Sequence, residues 1–565
     1  MTLPFSKFPG YNPIFIDYIY NFDKLKEYFE CDFRNKEDIF KAIYDREENY
    51  LKNKEFTRDV IADILKTQNQ FFNSPEKTFQ NIDLLRQENT FAVVTGQQVG
   101  LLSGNYYTIL KALNTLQLCE KYKKQFPDYN FVPVFWLESD DHDFLEINNI
   151  NIFDKENHLL NLKYFENGIE REKYLTPANK IILDETFENF KNELKQNLIN
   201  TEFSEKLFEY IDESYKTGVS LTVAFARFMN YLLGNTGIIF CNPSDKEIKK
   251  LLIPVFEKEL NTYPRACEYV IETSAIIEQN YEPQVKPKPI NVFYVFNGSR
   301  YLLEPRNDNI FALKNSRQKF TAVELFEDLY ANPENFSGNV ILRPICQDYV
   351  LPTIAYVGGP SEISYFAQLK SVYNFYKIKM PVIYPRTSIT VLENRISGFL
   401  SKFNLSIEEL LDEQKVTAKL MNKINSVKAD EIFANYYEEF KGMTYSFSKE
   451  LEKIDKNLST VFENRNVKYV EQLDNLKEKL IESQAKQNES SVKKLKSVAE
   501  NIFPNESFQE RQLNIVYYIN KYGFNLIQDL ISKIIIDEFN HQLIEINFQE
   551  VTAGDKNNAS DKNVN

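Results

Sequence analysis

Three stretches carry residue types whose chemistry and spacing suit a reaction centre. The first is Trp136-Leu-Glu-Ser-Asp-Asp-His-Asp-Phe144, where Glu138, Asp140, Asp141, His142 and Asp143 fall within six positions. Carboxylates this close repel one another unless they hold an amine, a cation or a base. His142 is one of only three histidines and can exchange a proton near neutral pH. His142, Asp141, Asp143 and Asp140 are therefore the candidate catalytic residues, with Trp136 and Glu138 beside them as substrate contacts. A solvated acidic loop that caps a helix is the plainer alternative.

The second stretch is Thr95-Gly-Gln-Gln-Val-Gly-Leu-Leu-Ser-Gly104, followed by Asn105, Tyr107 and Lys111. A glycine-rich turn before a helix exposes backbone N–H groups to an anion such as phosphate. Gln97, Gln98, Gly100, Ser103, Gly104, Asn105, Tyr107 and Lys111 are candidate ligand contacts; an ordinary tight turn is the alternative. The third stretch runs from Arg343-Pro-Ile-Cys-Gln-Asp348 to Tyr356-Val-Gly-Gly-Pro-Ser-Glu362 and Tyr365. Arg343 can grip a carboxylate with two parallel N–H donors. Gln347, Asp348, Tyr356, Gly358, Gly359, Glu362, Tyr365 and, further on, Arg386 complete the candidates. Cys346 reads as a buried structural thiol rather than a nucleophile.

These stretches need a scaffold that brings them together. Phe91–Thr95 reads as a buried strand, Tyr106 to about Lys124 as a helix with one apolar face, and Phe131–Trp136 as a second strand. That βαβ pattern predicts a parallel sheet. A helix from about Ser220 to Leu233 returns to a strand at Gly237–Cys241. Asn297-Gly298 between two apolar runs predicts a type I′ hairpin. Asn339–Arg343, Thr353–Val357 and Pro381–Pro385 read as further strands, with Gly358-Gly359-Pro360 opening a helix through about Tyr376.

Beyond residue 396 sheet signals vanish. Phe447, Leu451, Ile454, Leu458 and Val461, then Tyr469, Leu473, Leu476 and Leu480, alternate steps of four and three. This heptad seam predicts one long helix that pairs with a helical partner such as 406–440 or with a second subunit. The resulting order is a helical segment 1–90, sheet core 91–151, insertion 152–214, core 215–269, insertion 270–335, core 336–395, coiled coil 396–503, helical segment 504–551 and a disordered tail 552–565.

Bulk properties narrow the class. The chain has 565 residues and a formal charge of −14, without the basic stripe of a nucleic-acid surface. Five cysteines, with no Cys-x-x-Cys pair, fit a reducing cytoplasm and no structural zinc. MTLPFSKFPG lacks a secretory pattern, and no apolar run is long enough to span a membrane.

VVTGQQVGLLSGNYYTILKA, VPVFWLESDDHDFLEIN and LRPICQDYVLPTIAYVGGPSEISYFAQL resemble, in order and spacing, the signature stretches of the bacillithiol cysteine-adding family, BshC. The heptad segment and the final NESFQERQLNIVYYINKYG extend the likeness over nearly the whole chain. The resemblance implies an α/β fold: a class I aminoacyl-tRNA synthetase-like Rossmann core with two connective insertions, plus a long α-helical coiled-coil domain that makes homodimers. It implies a ligase that adds L-cysteine to the amine of glucosaminyl malate, giving a low-molecular-weight thiol. By analogy of fold the energy would come from ATP or another adenine nucleotide through a cysteinyl-adenylate, with His142 deprotonating the amine. No metal or tightly bound cofactor is implied. The His-Ile-Gly-His and Lys-Met-Ser-Lys-Ser signatures of those synthetases are absent. A synthetase-like nucleotidyltransferase for another small acid, and a coiled-coil scaffold with a degenerate core, are the competing readings.

Overall fold

The computed structural model describes residues 1–52, 54–164, 175–307, 309–425 and 428–546. The expected tail at 552–565 and part of the first insertion lie outside the described residues. The chain divides into two compact units, one formed by Met1–Thr390 with Glu510–Ile544 and the other centred on Val391–Gln509.

In the first unit the core begins with β1 (Thr90–Gln97), α1 (Tyr107–Gln125) and β2 (Asn130–Leu137). Phe91, Val93, Val94, Val132 and Val134 are buried on both faces of the sheet, so the run is continuously apolar rather than alternating. Burying each such side chain stabilises the fold by roughly 1.5–3 kcal/mol. Ser220 caps α2 (Leu221–Leu233), which returns to β3 (Ile239–Cys241), followed by α3 (Lys246–Thr262).

An antiparallel sheet is then inserted: β4 (Val292–Phe296), β5 (Ser299–Asn307), β6 (Ile310–Leu313), β7 (Lys319–Thr321) and β8 (Phe336–Gly338), in the order 7-6-5-4-8. Its first turn is the expected type I′ hairpin: Asn297 and Gly298 have φ of 50° and 81°, and Phe296 pairs with Ser299. The chain re-enters the core through α4 (Leu342–Val350), β9 (Thr353–Gly358), α5 (Pro360–Phe366) and β10 (Val382–Pro385). The core strands lie in the order 10-9-1-2-3, all parallel. Strand order therefore reverses beside β1, which opens a crevice at the carboxyl ends of β1, β2 and β9.

Two local readings are corrected within this unit. Asn339–Arg343 is not a strand. The Asn339 carboxamide oxygen accepts the N–H groups of Ile341 and Leu342, and α4 starts there, with Pro344 tolerated in its first turn. The helix opened at Pro360 does not run to Tyr376 unbroken; α5 ends at Phe366 and a separate short helix covers Lys370–Tyr376.

In the second unit the heptad seam belongs to two helices, not one. α6 (Ala429–Ile454) stops at Asp455, whose backbone is extended and whose carboxylate caps α7 (Lys456–Gln487) by accepting the Asn457 N–H. The helices fold back as a hairpin in which Phe447 meets Phe462 and Phe440 meets Tyr469. Ile454, Leu458, Val461 and Leu476 are consequently left exposed. A period alone cannot show that a capping aspartate interrupts it.

Candidate active site

At the carboxyl edge of the parallel sheet lies a cavity of about 1280 Å³. Gln97 closes β1, Glu138 follows β2, Gly359 follows β9 and Arg386 follows β10, and all four line it. Gly96 lets β1 and β2 converge here. A Cβ at that position would meet the Trp136 carbonyl oxygen at 3.1 Å and Glu138 Oε1 at 3.3 Å.

Four cation–carboxylate pairs face the cavity. Lys111 Nζ lies 2.6 Å from Glu362 Oε2 and also donates to the Gly96 carbonyl and to Gln97 Oε1. Arg343 Nη1 lies 3.0 Å from Glu138 Oε1, while its Nη2 donates to the Tyr365 hydroxyl. Lys249 Nζ, fully buried, lies 2.6 Å from Asp140 Oδ2. Arg300 Nη1 lies 3.2 Å from Asp141 Oδ1 and 3.1 Å from His142 Nδ1. Paired this way, the charges can stay in a half-enclosed site that would otherwise expel them.

The pairs do not set equal proton affinities. Burial, opposed by Arg343 and reinforced by Asp141, Asp140 and Glu362, pushes the Glu138 carboxyl up to about 7. Burial also acts on Asp141, yet Arg300, the Gln98 amide and the His142 N–H together hold it below the ordinary carboxylate range. Burial and the Arg300 charge push the His142 imidazole below its ordinary value, against the pull of Asp141 and Asp143. The cavity thus sets a carboxyl group poised near neutrality beside Asp141 and Glu362, whose neighbours hold them below the ordinary carboxylate range. Burial raises the Cys346 thiol to about 12, so this cavity-lining cysteine is no nucleophile at neutral pH.

Two buried donors on the cavity wall, Trp136 Nε1 and Arg386 Nε, have no acceptor among the described residues.

Of the residues singled out by sequence, Gln97, Gln98, Tyr107, Lys111, Trp136, Glu138, Asp140, Asp141, His142, Arg343, Gly359, Glu362, Tyr365 and Arg386 come together around this cavity. The others do not line it. Asp143 is exposed outside it. Gly100, Ser103 and Gly104 pack into a turn whose carbonyls at Leu101, Leu102 and Gly104 accept from the Asn514 amide, and Asn105 donates to the Arg511 carbonyl. That turn is closed by protein rather than open to phosphate. Gln347 and Asp348 are buried behind Arg343, with Asp348 accepting from Tyr373 and Gln347. Tyr356 donates to Glu362 from below, and Gly358 packs against that side chain.

Residues 1–387 match the family described as "Bacillithiol biosynthesis BshC, N-terminal Rossmann-like domain", and residues 389–546 match its "C-terminal coiled-coil domain". The chain belongs to the bacillithiol biosynthesis BshC family. A "Putative cysteine ligase BshC" of Chloroherpeton thalassium is 33% identical over 556 residues, covering 94% of this chain and 96% of its own. Relatives with the same description occur in Salinibacter ruber, at 31% identity over 94% and 96% of the two chains, and in Bacillus cereus, at 29% over 92% and 96%. Like these BshC relatives, the chain is an enzyme of the ligase class, with a Rossmann-like core and a coiled-coil region. Among solved structures, a "putative arginyl t-RNA synthetase" from Campylobacter jejuni aligns over 84% of this chain and 98% of its own at 10% identity. Its TM-score of 0.21 is too low to bear on the fold.

In this BshC-family chain the sequence reading missed Lys249, Arg300, Lys286, Lys288, Lys314 and Glu146, all of which line the cavity. Lys249 sits in a Lys-Lys pair on an amphipathic helix, which reads as a solvated face. Arg300 follows a tight hairpin turn, where an arginine reads as surface. The only signal was the hairpin, which was visible as a structure and not as a wall of the site. No helix among the described residues is long and apolar enough to cross a membrane.

Proposed function

We propose that this chain joins L-cysteine to the amine of glucosaminyl malate, the last step of bacillithiol synthesis, in the cytoplasm. One observation carries the reading beyond the family name. The cavity combines a carboxyl group poised near neutrality with a lysine-rich wall, Lys286, Lys288 and Lys314. An amine nucleophile needs the first, and a carboxylate-bearing substrate is attracted by the second. Lys286, Lys288 and Lys314, from the inserted sheet and the segment leading into it, add positive charge at the cavity wall. They suit a dicarboxylate such as malate or the phosphates of an activating nucleotide.

Amide formation from a free carboxylate requires an activated acyl group, and ATP or another adenine nucleotide is the proposed source. The Gly100–Gly104 turn is not where such phosphates fit, because the N–H groups of Gly100, Leu102 and Gly104 already donate to the Gln98 carbonyl, the Tyr215 hydroxyl and the Leu101 carbonyl. Five free, buried cysteines suit a reducing compartment. The exposed apolar positions on α6 and α7, among them Met443, Ile454 and Leu458, suit burial against a second copy, and a homodimer is proposed.

The test has two arms. Deleting the gene for this chain in its host should abolish bacillithiol and accumulate glucosaminyl malate. The purified chain given L-cysteine, glucosaminyl malate and ATP should form the amide, seen by mass spectrometry as the sum of both reactants less water. Bacillithiol persisting in the deletion strain defeats the proposal.

A further inference from the structure

We propose that Glu138, through its Oε2 atom, is the general base that takes the proton from the attacking amine. The inference rests on the amide-forming reading above.

The geometry points to it by elimination among the four carboxylates of the cavity that pair with a cation. Asp140 has both oxygens engaged, Oδ1 by the Ser244 hydroxyl at 2.8 Å and Oδ2 by Lys249. Asp141 accepts from Arg300 and the His142 N–H at Oδ1, and from the Gln98 amide at Oδ2. Glu362 accepts from Lys111 and the Gly359 N–H at Oε2, and from the Tyr356 hydroxyl at Oε1. Carboxylates bound at every oxygen serve as fixed counter-charges. Glu138 differs. Oε1 takes Arg343, and Oε2 has no donor among the described residues, while the side chain reaches the cavity.

His142, the sequence-based candidate, is poorly arranged for this role. A guanidinium can only donate, so Arg300 fixes Nδ1 of the neutral ring as the acceptor. The ring proton then resides on Nε2, and no lone pair is left to receive another. His142 can instead donate from Nε2 to a substrate oxygen. Arg343, held by Tyr365 and Gln347 as well as by Glu138, orients the carboxylate. It is a positioning residue.

The step balances. The amine nitrogen attacks the acyl carbon of activated cysteine and forms the C–N bond. The bond from that carbon to the leaving phosphate-type group breaks, and its electron pair departs with that group. The N–H proton passes to Glu138 Oε2, leaving a neutral carboxylic acid.

The experiment measures kcat/KM against pH for the full chain, with glucosaminyl malate, L-cysteine and ATP. The wild type should show an acidic limb with an apparent pKa of about 7, matching the raised Glu138 carboxyl. E138Q should lose on the order of 100-fold or more in kcat while glucosaminyl malate binding, read by calorimetry, changes only a few-fold. E138D, which keeps the base but shortens its reach, should recover part of the rate and displace the limb. If E138Q misfolds, E138D and the wild-type limb still decide. Wild-type turnover with no acidic limb overturns the assignment. So does E138Q turnover within a few-fold of wild type, or a limb that vanishes in E146Q or H142A and survives in E138D unmoved. Failure of the ligase reading itself is distinguishable, because the wild type then makes no amide at any pH.

Discussion

Replacing His541 with glutamine should flatten the acid limb of this protein's stability. His541 is fully buried, with Nδ1 2.8 Å from the Ser388 hydroxyl and Nε2 2.9 Å from the Thr390 hydroxyl. Burial lowers its pKa from 6.5 to about 4, against the pull of the nearby Glu510 carboxylate and with Arg386 assisting. Above pH ~6.5 the ring is neutral in both states and contributes no pH dependence. Below it the unfolded chain binds a proton that the folded chain refuses, so stability falls with pH until about pH 4. The full drop from 6.5 to about 4 corresponds to about 3 kcal/mol, and about 2 kcal/mol of it is already lost between pH 7 and pH 5. Glutamine can bond to both hydroxyls and does not titrate. Urea unfolding of wild type and H541Q at pH 7 and pH 5 isolates the term, because the carboxylates common to both proteins cancel in the difference. H541Q should lose about 2 kcal/mol less than wild type over that interval. Parallel pH profiles for the two proteins would refute the reasoning.

Two further outcomes follow from named contacts. D140N leaves the Lys249 ammonium, buried beside the Phe336 carbonyl, without its counter-charge, and should cost about 3 kcal/mol in urea unfolding; D140N/K249M should recover most of it. M443E/L458E places charge on the exposed apolar positions of the helical hairpin and should weaken the proposed dimer by on the order of 100-fold, read by sedimentation equilibrium; an unchanged dimer would place the contact elsewhere.

The sequence by itself determined the parallel core and most of the residues that meet there. Strands buried on both faces must be continuously apolar, and that pattern shows in Phe91–Thr95 and Phe131–Trp136 without any tertiary knowledge. The type I′ hairpin was legible because two consecutive positive φ angles restrict which residues can occupy the turn. Polar clusters at strand ends were legible because a parallel sheet gathers its carboxyl ends on one side. What only the tertiary structure decided is which charge answers which. Lys249 and Arg300 come from elements 109 and 158 residues away from Asp140 and His142 in the chain, and no local pattern records such a pairing. The closing of the Gly100–Gly104 turn by Asn514, the break of the heptad seam at Asp455 and the Glu138 oxygen that meets no donor among the described residues are likewise products of packing. A side chain's protonation and its partners depend on burial and on the field of distant groups, and both exist only once the chain has folded.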